Sequence, residues 1–156
     1  MGVSGGRALA PLVLAAIAVA TGATAPSSAA SASGSEAAGA SLTVGTSKYG
    51  VILEDGRGYA LYTFSHDPRA HATCYGTCAR RWPPLVVRVR PAARKGAKAS
   101  LVGVTRRRDG KLQATYSGRP LYYYIGDDAP GIVLCQNVAE FGGLWRVVRS
   151  TGTPVR

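Results

Sequence analysis

From Leu42 onward the chain alternates apolar and polar positions with period two, punctuated by turns, and shows little helical spacing. Leu42-Thr43-Val44 and residues 49–53 are short β-favouring runs, and Glu54-Asp55-Gly56-Arg57-Gly58 is a dense turn. Residues 59–65 (YALYTFS) put Tyr59, Leu61, Thr63 and Ser65 on one side and Ala60, Tyr62 and Phe64 on the other. The pattern predicts a hairpin between 51–53 and 60–64. Asp67-Pro68 ends it, because proline removes a ladder donor.

Further along, residues 72–81 predict a short helical turn, stopped by Trp82-Pro83-Pro84. Short strands are expected at 85–89, 101–105, 112–116, 121–125, 132–134 and 144–148. The segment 90–100 lacks large apolar residues and reads as a loop. Asp109-Gly110 and Ser117-Gly118-Arg119-Pro120 mark turns. The fold expected is all-β or β-rich: one small domain at 42–150 with short hairpins and a single helical turn near Cys74 and Cys78.

The N-terminal pattern is different. Arg7 precedes thirteen apolar residues, 8–20, too few to span a bilayer, followed by small residues. This reads as a signal peptide over 1–32, cut after Ala30-Ser31-Ala32, then a flexible lead-in over 33–41. No cysteine near the junction offers a lipobox, so the expected location is secreted, with no membrane span after cleavage.

Charge adds a second asymmetry. The chain carries a net charge of +11. Between Pro68 and Arg108 stand eleven Lys or Arg and no acid, including Arg88, Arg90, Arg94, Lys95, Lys98, Arg106, Arg107 and Arg108. Such a run attracts polyanions in a salt-dependent way. For an exported protein the expected partner is an anionic envelope polymer or a surface protein. Nucleic acid is not expected, since no reading motif is present.

Export places the three cysteines in an oxidising compartment, where three single pairings are open and one thiol is left over. Cys74 and Cys78 can be bridged if the backbone turns at Gly76, so they are the disulfide candidates, and the state of Cys135 stays open. His66, Asp67, His71, Cys74 and Cys78 fall within thirteen residues. That clustering raises copper, zinc or haem as alternatives, with His66 and His71 the candidate ligands. The spacing is not a familiar ligand set, and no cofactor is expected.

A displacement of sixty positions superposes Leu61-Tyr62-x-Phe64-x-x-Asp67 on Leu121-Tyr122-x-Tyr124-x-x-Asp127, each followed by a tryptophan, Trp82 or Trp145. Period two puts both aromatics of each triplet on one face, and the aspartate is suited to closing the next turn. Repeat 1 spans about 51–86 and repeat 2 about 112–148. Each is too small to bury its own apolar face, so the two should pack together.

These residues resemble the bacterial "secreted repeat of unknown function" family, predicted lipoproteins with a Yx(FWY)xxD motif. Cys74-x-Gly76-x-Cys78-Ala79-x-x-Trp82-Pro83-Pro84-Leu85 and Gly142-Gly143-x-Trp145 are similar to its other signatures. The resemblance implies an exported module without an established activity. The expected role is therefore a non-catalytic binding or interaction module at the cell envelope. The alternatives are a copper- or haem-associated redox accessory protein using His66, His71, Cys74 and Cys78, or a cell-wall carbohydrate-active protein.

Overall fold

The computed structural model describes residues 40–156, so the expected signal peptide and nearly all of the lead-in lie outside the described residues. No described helix is long and apolar enough to cross a membrane. The described chain is β-rich, with ten short strands and one helix of five residues.

Three small sheets make up the fold. In the first, β1 (Ser41–Ser47) pairs antiparallel with β2 (Gly50–Asp55) and parallel with β5 (Ala92–Ala93). In the second, β10 (Gly143–Val147) lies between β3 (Tyr62–Phe64) and β9 (Val138–Glu140). In the third, β7 (Leu112–Tyr116) lies between β4 (Val86–Val87) and β6 (Val102–Arg106), with β8 (Arg119–Pro120) also on β7. The β7–β8 turn, Ser117-Gly118, has φ of 51° and 71°. Positive φ at both central residues matches the right-handed twist of the flanking strands.

The pairings cross between repeats. β3 of the first repeat pairs with β10 of the second, in the register Trp145 to Phe64 and Val147 to Tyr62. β4, just after Trp82-Pro83-Pro84, pairs with β7 of the second. Backbone bonds repeat the exchange: Leu53 N–H donates to Val148 O at 2.6 Å, and Ala114 N–H donates to Leu85 O at 2.9 Å. Each repeat thus closes its sheet with the tail of the other.

Several expected strands differ. The hairpin between 51–53 and 60–64 is reduced to a Glu54–Ala60 bridge and a Leu61-to-Leu53 bond of 3.1 Å, because β3 turns away to β10. Residues 121–125 form no strand. Tyr122 makes single bridges to Tyr62 on one side and Pro84 on the other, and the prolines cannot donate to extend a ladder there. Residues 132–134 are likewise irregular, with only Val133 buried. β5 and a 3-10 turn at Ala99–Leu101 interrupt the expected loop. The predicted helical turn is α1 (Thr77–Arg81).

Two apolar clusters fill the interior. One is aromatic, around Tyr62, Phe64, Trp82, Tyr122 and Trp145. The other is aliphatic, around Leu42, Leu53, Leu61, Leu85, Leu121 and Val148, with Tyr116. Period two explains the division: Leu61 and Tyr62 are neighbours in sequence and face opposite clusters.

Candidate functional site

The two motif copies meet at Tyr62 and Tyr122. Tyr62 N–H donates to Tyr122 O at 2.8 Å, and Tyr122 N–H donates to Tyr62 O at 2.9 Å. Their hydroxyls then cross over. Tyr62 Oη donates to Asp127 Oδ2 at 2.5 Å, and Tyr122 Oη donates to Asp67 Oδ2 at 2.7 Å. The tyrosine of each repeat is held by the aspartate of the other.

The second carboxylate oxygen of each aspartate serves its own repeat. Asp67 Oδ1 accepts from Thr73 N–H at 2.7 Å and Thr73 Oγ1 at 2.6 Å. Asp127 Oδ1 accepts from Leu134 N–H at 3.0 Å. The turns that carry them match, since Asp67 N–H donates to Phe64 O and Asp127 N–H to Tyr124 O, both at 3.1 Å. Both aspartates are buried. Burial pushes Asp67 above the usual carboxylate range, against the pull of Thr73, Tyr122 and Arg107. Burial also raises Asp127, opposed by Tyr62 and the Leu134 N–H. Tyr62 and Tyr122 are raised well above the phenol range, by burial first and then by the facing carboxylates.

Four rings stack in the order Phe64, Trp145, Trp82, Tyr124. Phe64 lies 4.3 Å from Trp145 at 9°, the indoles are 4.1 Å apart at 5°, and Tyr124 lies 4.8 Å from Trp82 at 43°. Tyr62 meets Trp82 edge-on at 5.2 Å, and Tyr122 meets Trp145 edge-on at 5.2 Å. The stack therefore shares the two-fold character of the tyrosine–aspartate pair. Glu140 breaks it, accepting from Trp82 Nε1 with a carboxylate oxygen at 2.8 Å and from Trp145 Nε1 with its carbonyl at 3.3 Å. Arg81 pairs with the same carboxylate at 3.5 Å and lies over Tyr124 at 5.3 Å. Both indoles are fully buried, so neither can offer a face to a sugar ring.

Cys74 and Cys78 are joined in a disulfide, their Cα atoms 5.3 Å apart, so neither offers a thiolate to a metal. Gly76 between them has φ of 56°, a conformation that costs glycine little. Cys135 is free and half-buried, and burial pushes its thiol up. His66 and His71 are exposed; His71 Nδ1 lies 2.9 Å from Arg69 O. Among the described residues no three His, Cys, Asp or Glu are grouped to hold a metal.

Within the basic run, Arg88, Arg90, Arg94, Lys95, Lys98, Arg106 and Arg108 are exposed. Arg107 is the exception. It is 4% exposed, donates to Gln113 Oε1 at 2.6 Å and Cys74 O at 2.8 Å, and lies 4.3 Å from the Tyr75 ring. Its Nε keeps Asp109 Oδ2 at 3.6 Å, an ion-pair distance too long for a hydrogen bond. Arg107 is therefore a brace between the disulfide turn and β7, and it does not belong to the exposed cationic stretch. Nothing in a run of like charges marks one member as buried. The cross-repeat partner of each motif tyrosine, and Glu140 as a shared acceptor for the indoles, also carried no mark in the sequence.

Segments 43–86 and 103–149 each match the profile of a family described as a secreted repeat of unknown function. The matches start at β1 and β6, so each repeat includes a hairpin ahead of its motif. No curated protein and no solved structure matches the chain.

Proposed function

The chain belongs to the family of secreted repeats of unknown function, and we propose that it acts as a non-catalytic binding module of the bacterial cell envelope. The exposed cations between Arg88 and Arg108 engage an anionic polymer of the wall. The observation that carries this reading is the exposure of those side chains along one stretch that contains no acid. Such a stretch raises the local concentration of a polyanion through its summed field. The arrangement of the motif supports the non-catalytic part. Asp67 and Asp127, the carboxylates a hydrolase would need, each spend both oxygens on bonds that hold the fold.

Retention of the exported chain on an immobilised phosphodiester wall polymer tests the reading. The chain should bind at low salt and elute at moderate salt, because the attraction is screened. A chain carrying Arg94→Gln, Lys95→Gln and Lys98→Gln should elute earlier. Absence of retention, or retention that ignores these substitutions, counts against the proposal.

A further inference from the structure

Outside the basic stretch, three more arginines converge on the outer face of the second sheet. Tyr62, Phe64, Trp145 and Val147 point into the aromatic core, so period two sends Thr63, Ser65, Leu144 and Arg146 the other way. Arg146 stands opposite Thr63 in register. Arg119 of β8 and Arg156 close in beside them, and with Pro154 these residues line a cleft of about 260 Å³.

No Asp or Glu lines this cleft. Arg119 and Arg156 have no side-chain hydrogen bond or ion pair among the described residues. Arg146 uses only its Nε, on Asn137 Oδ1 at 2.8 Å, leaving its two terminal nitrogens. Ser65 Oγ accepts from Leu144 N–H at 2.8 Å and keeps its own proton to donate. Three guanidinium groups around one cleft repel each other, and a bound oxyanion reverses that repulsion.

The repeat offers an internal comparison. Sixty positions on, Thr63 is replaced by Tyr123, whose hydroxyl donates to Asp55 Oδ2 at 3.0 Å while Arg57 Nε holds the same oxygen at 2.9 Å. That side carries its own carboxylate between a hydroxyl and a guanidinium. The side at Thr63 has the guanidinium groups and the Ser65 hydroxyl and no carboxylate side chain, while Thr63 Oγ1 faces Arg146 O at 3.5 Å.

We infer that the cleft lined by Thr63, Ser65, Arg119, Arg146 and Arg156 binds a phosphate group, free or carried as a phosphate ester. Guanidinium forks suit a tetrahedral oxyanion, which offers more acceptor oxygens to several arginines than a carboxylate does. None of these residues lies in the Arg88–Arg108 stretch, so the inference does not depend on polymer binding there.

Calorimetric titration of the full chain with inorganic phosphate and with glycerol 3-phosphate tests it, with acetate as the comparison. Both phosphates should bind more tightly than acetate. Arg119→Lys and Arg146→Lys keep the charge and lose the fork, and each should weaken phosphate binding roughly tenfold or more. Arg156→Gln, outside every strand, should weaken it without touching a sheet. The Arg94, Lys95 and Lys98 triple substitution should leave it unchanged. Sedimentation with phosphatidylglycerol vesicles separates the sources: loss in the Arg119→Lys, Arg146→Lys chain assigns a lipid headgroup, while phosphate binding without cleft-dependent sedimentation assigns a free or polymer-borne group. No binding at millimolar phosphate, or lysine variants that bind as the parent does, overturns the inference. So does phosphate binding that responds only to the Arg94, Lys95 and Lys98 substitutions, which would leave the polymer reading intact.

Discussion

Removing one hydroxyl at Tyr62 should cost far more than its size suggests. Tyr62→Phe keeps the ring against Trp82 and deletes only the donor to Asp127 Oδ2. A buried hydrogen bond to a charged acceptor contributes about 1.5–3 kcal/mol, and its loss leaves the acceptor desolvated. Asp127 would then keep only the Leu134 N–H, whereas Tyr122→Phe leaves Asp67 with both Thr73 donors. Tyr62→Phe should therefore be the costlier, at about 2–3 kcal/mol, with Tyr122→Phe nearer about 1.5–2 kcal/mol. For a domain of this size each kcal/mol moves the midpoint by about 4 °C, so Tyr62→Phe should lower Tm by roughly 8–12 °C. The double variant should deviate from additivity, because both hydroxyls flank one backbone pair, Tyr62 with Tyr122. Thermal and urea unfolding followed by tryptophan fluorescence measures all three. If Tyr62→Phe lies within about 0.5 kcal/mol of the parent, the cross-repeat bonds are not what fastens the repeats.

Trp145→Ala should destabilise the fold by about 3–5 kcal/mol, since Trp145 is fully buried between Phe64 and Trp82, while Phe141→Ala, at a 45% exposed position, should change little; urea midpoints compare them. Tyr62, Tyr122 and Tyr123 have raised folded pKa values, so the stability they carry is complete below the unfolded phenol value of about 10 and is lost as pH rises beyond it. Absorbance titration should accordingly show these three of the eight tyrosines ionising only as the chain unfolds, and full ionisation of a folded chain in the ordinary range would refute this. Replacing Cys74 and Cys78 with Ser should cost only about 2 kcal/mol in the chain-entropy account, because the bridged residues are four apart. A loss much beyond that, read from denaturant midpoints, would mean that the disulfide holds more than its own turn and Arg107.

The repeat period located the parts of this fold better than it located their contacts. Tyr62 with Phe64 and Tyr122 with Tyr124 could be assigned common faces from spacing, and Asp67 and Asp127 could be assigned to turns. A sixty-residue offset states which residues are equivalent, and says nothing about whether Tyr62 reaches its own aspartate or the other one. The exchange depends on β3 leaving its hairpin for β10, a long-range choice that local propensity does not record. Tyr122 sits in an apolar run that reads as strand, yet Pro83 and Pro84 beside it limit pairing to single bridges. Arg107 shows the same limit for charge: it stands between two exposed arginines, and its burial is offset by Gln113 across the turn and by Tyr75 and the Cys74 carbonyl, both more than thirty residues away. The cleft at Arg119, Arg146 and Arg156 was equally hidden, because its arginines come from three separate segments.

Each repeat supplies the strand and the aspartate that complete the other, so neither should fold as a unit alone. The most direct measurement separates them, as chains of residues 40–96 and 97–156, and records amide NMR spectra and thermal unfolding of each alone and of an equimolar mixture. Each half alone should give poorly dispersed spectra and no cooperative transition, and mixing should restore the dispersion and the transition of the intact chain. A half that unfolds cooperatively on its own, with its tryptophan buried, would contradict it.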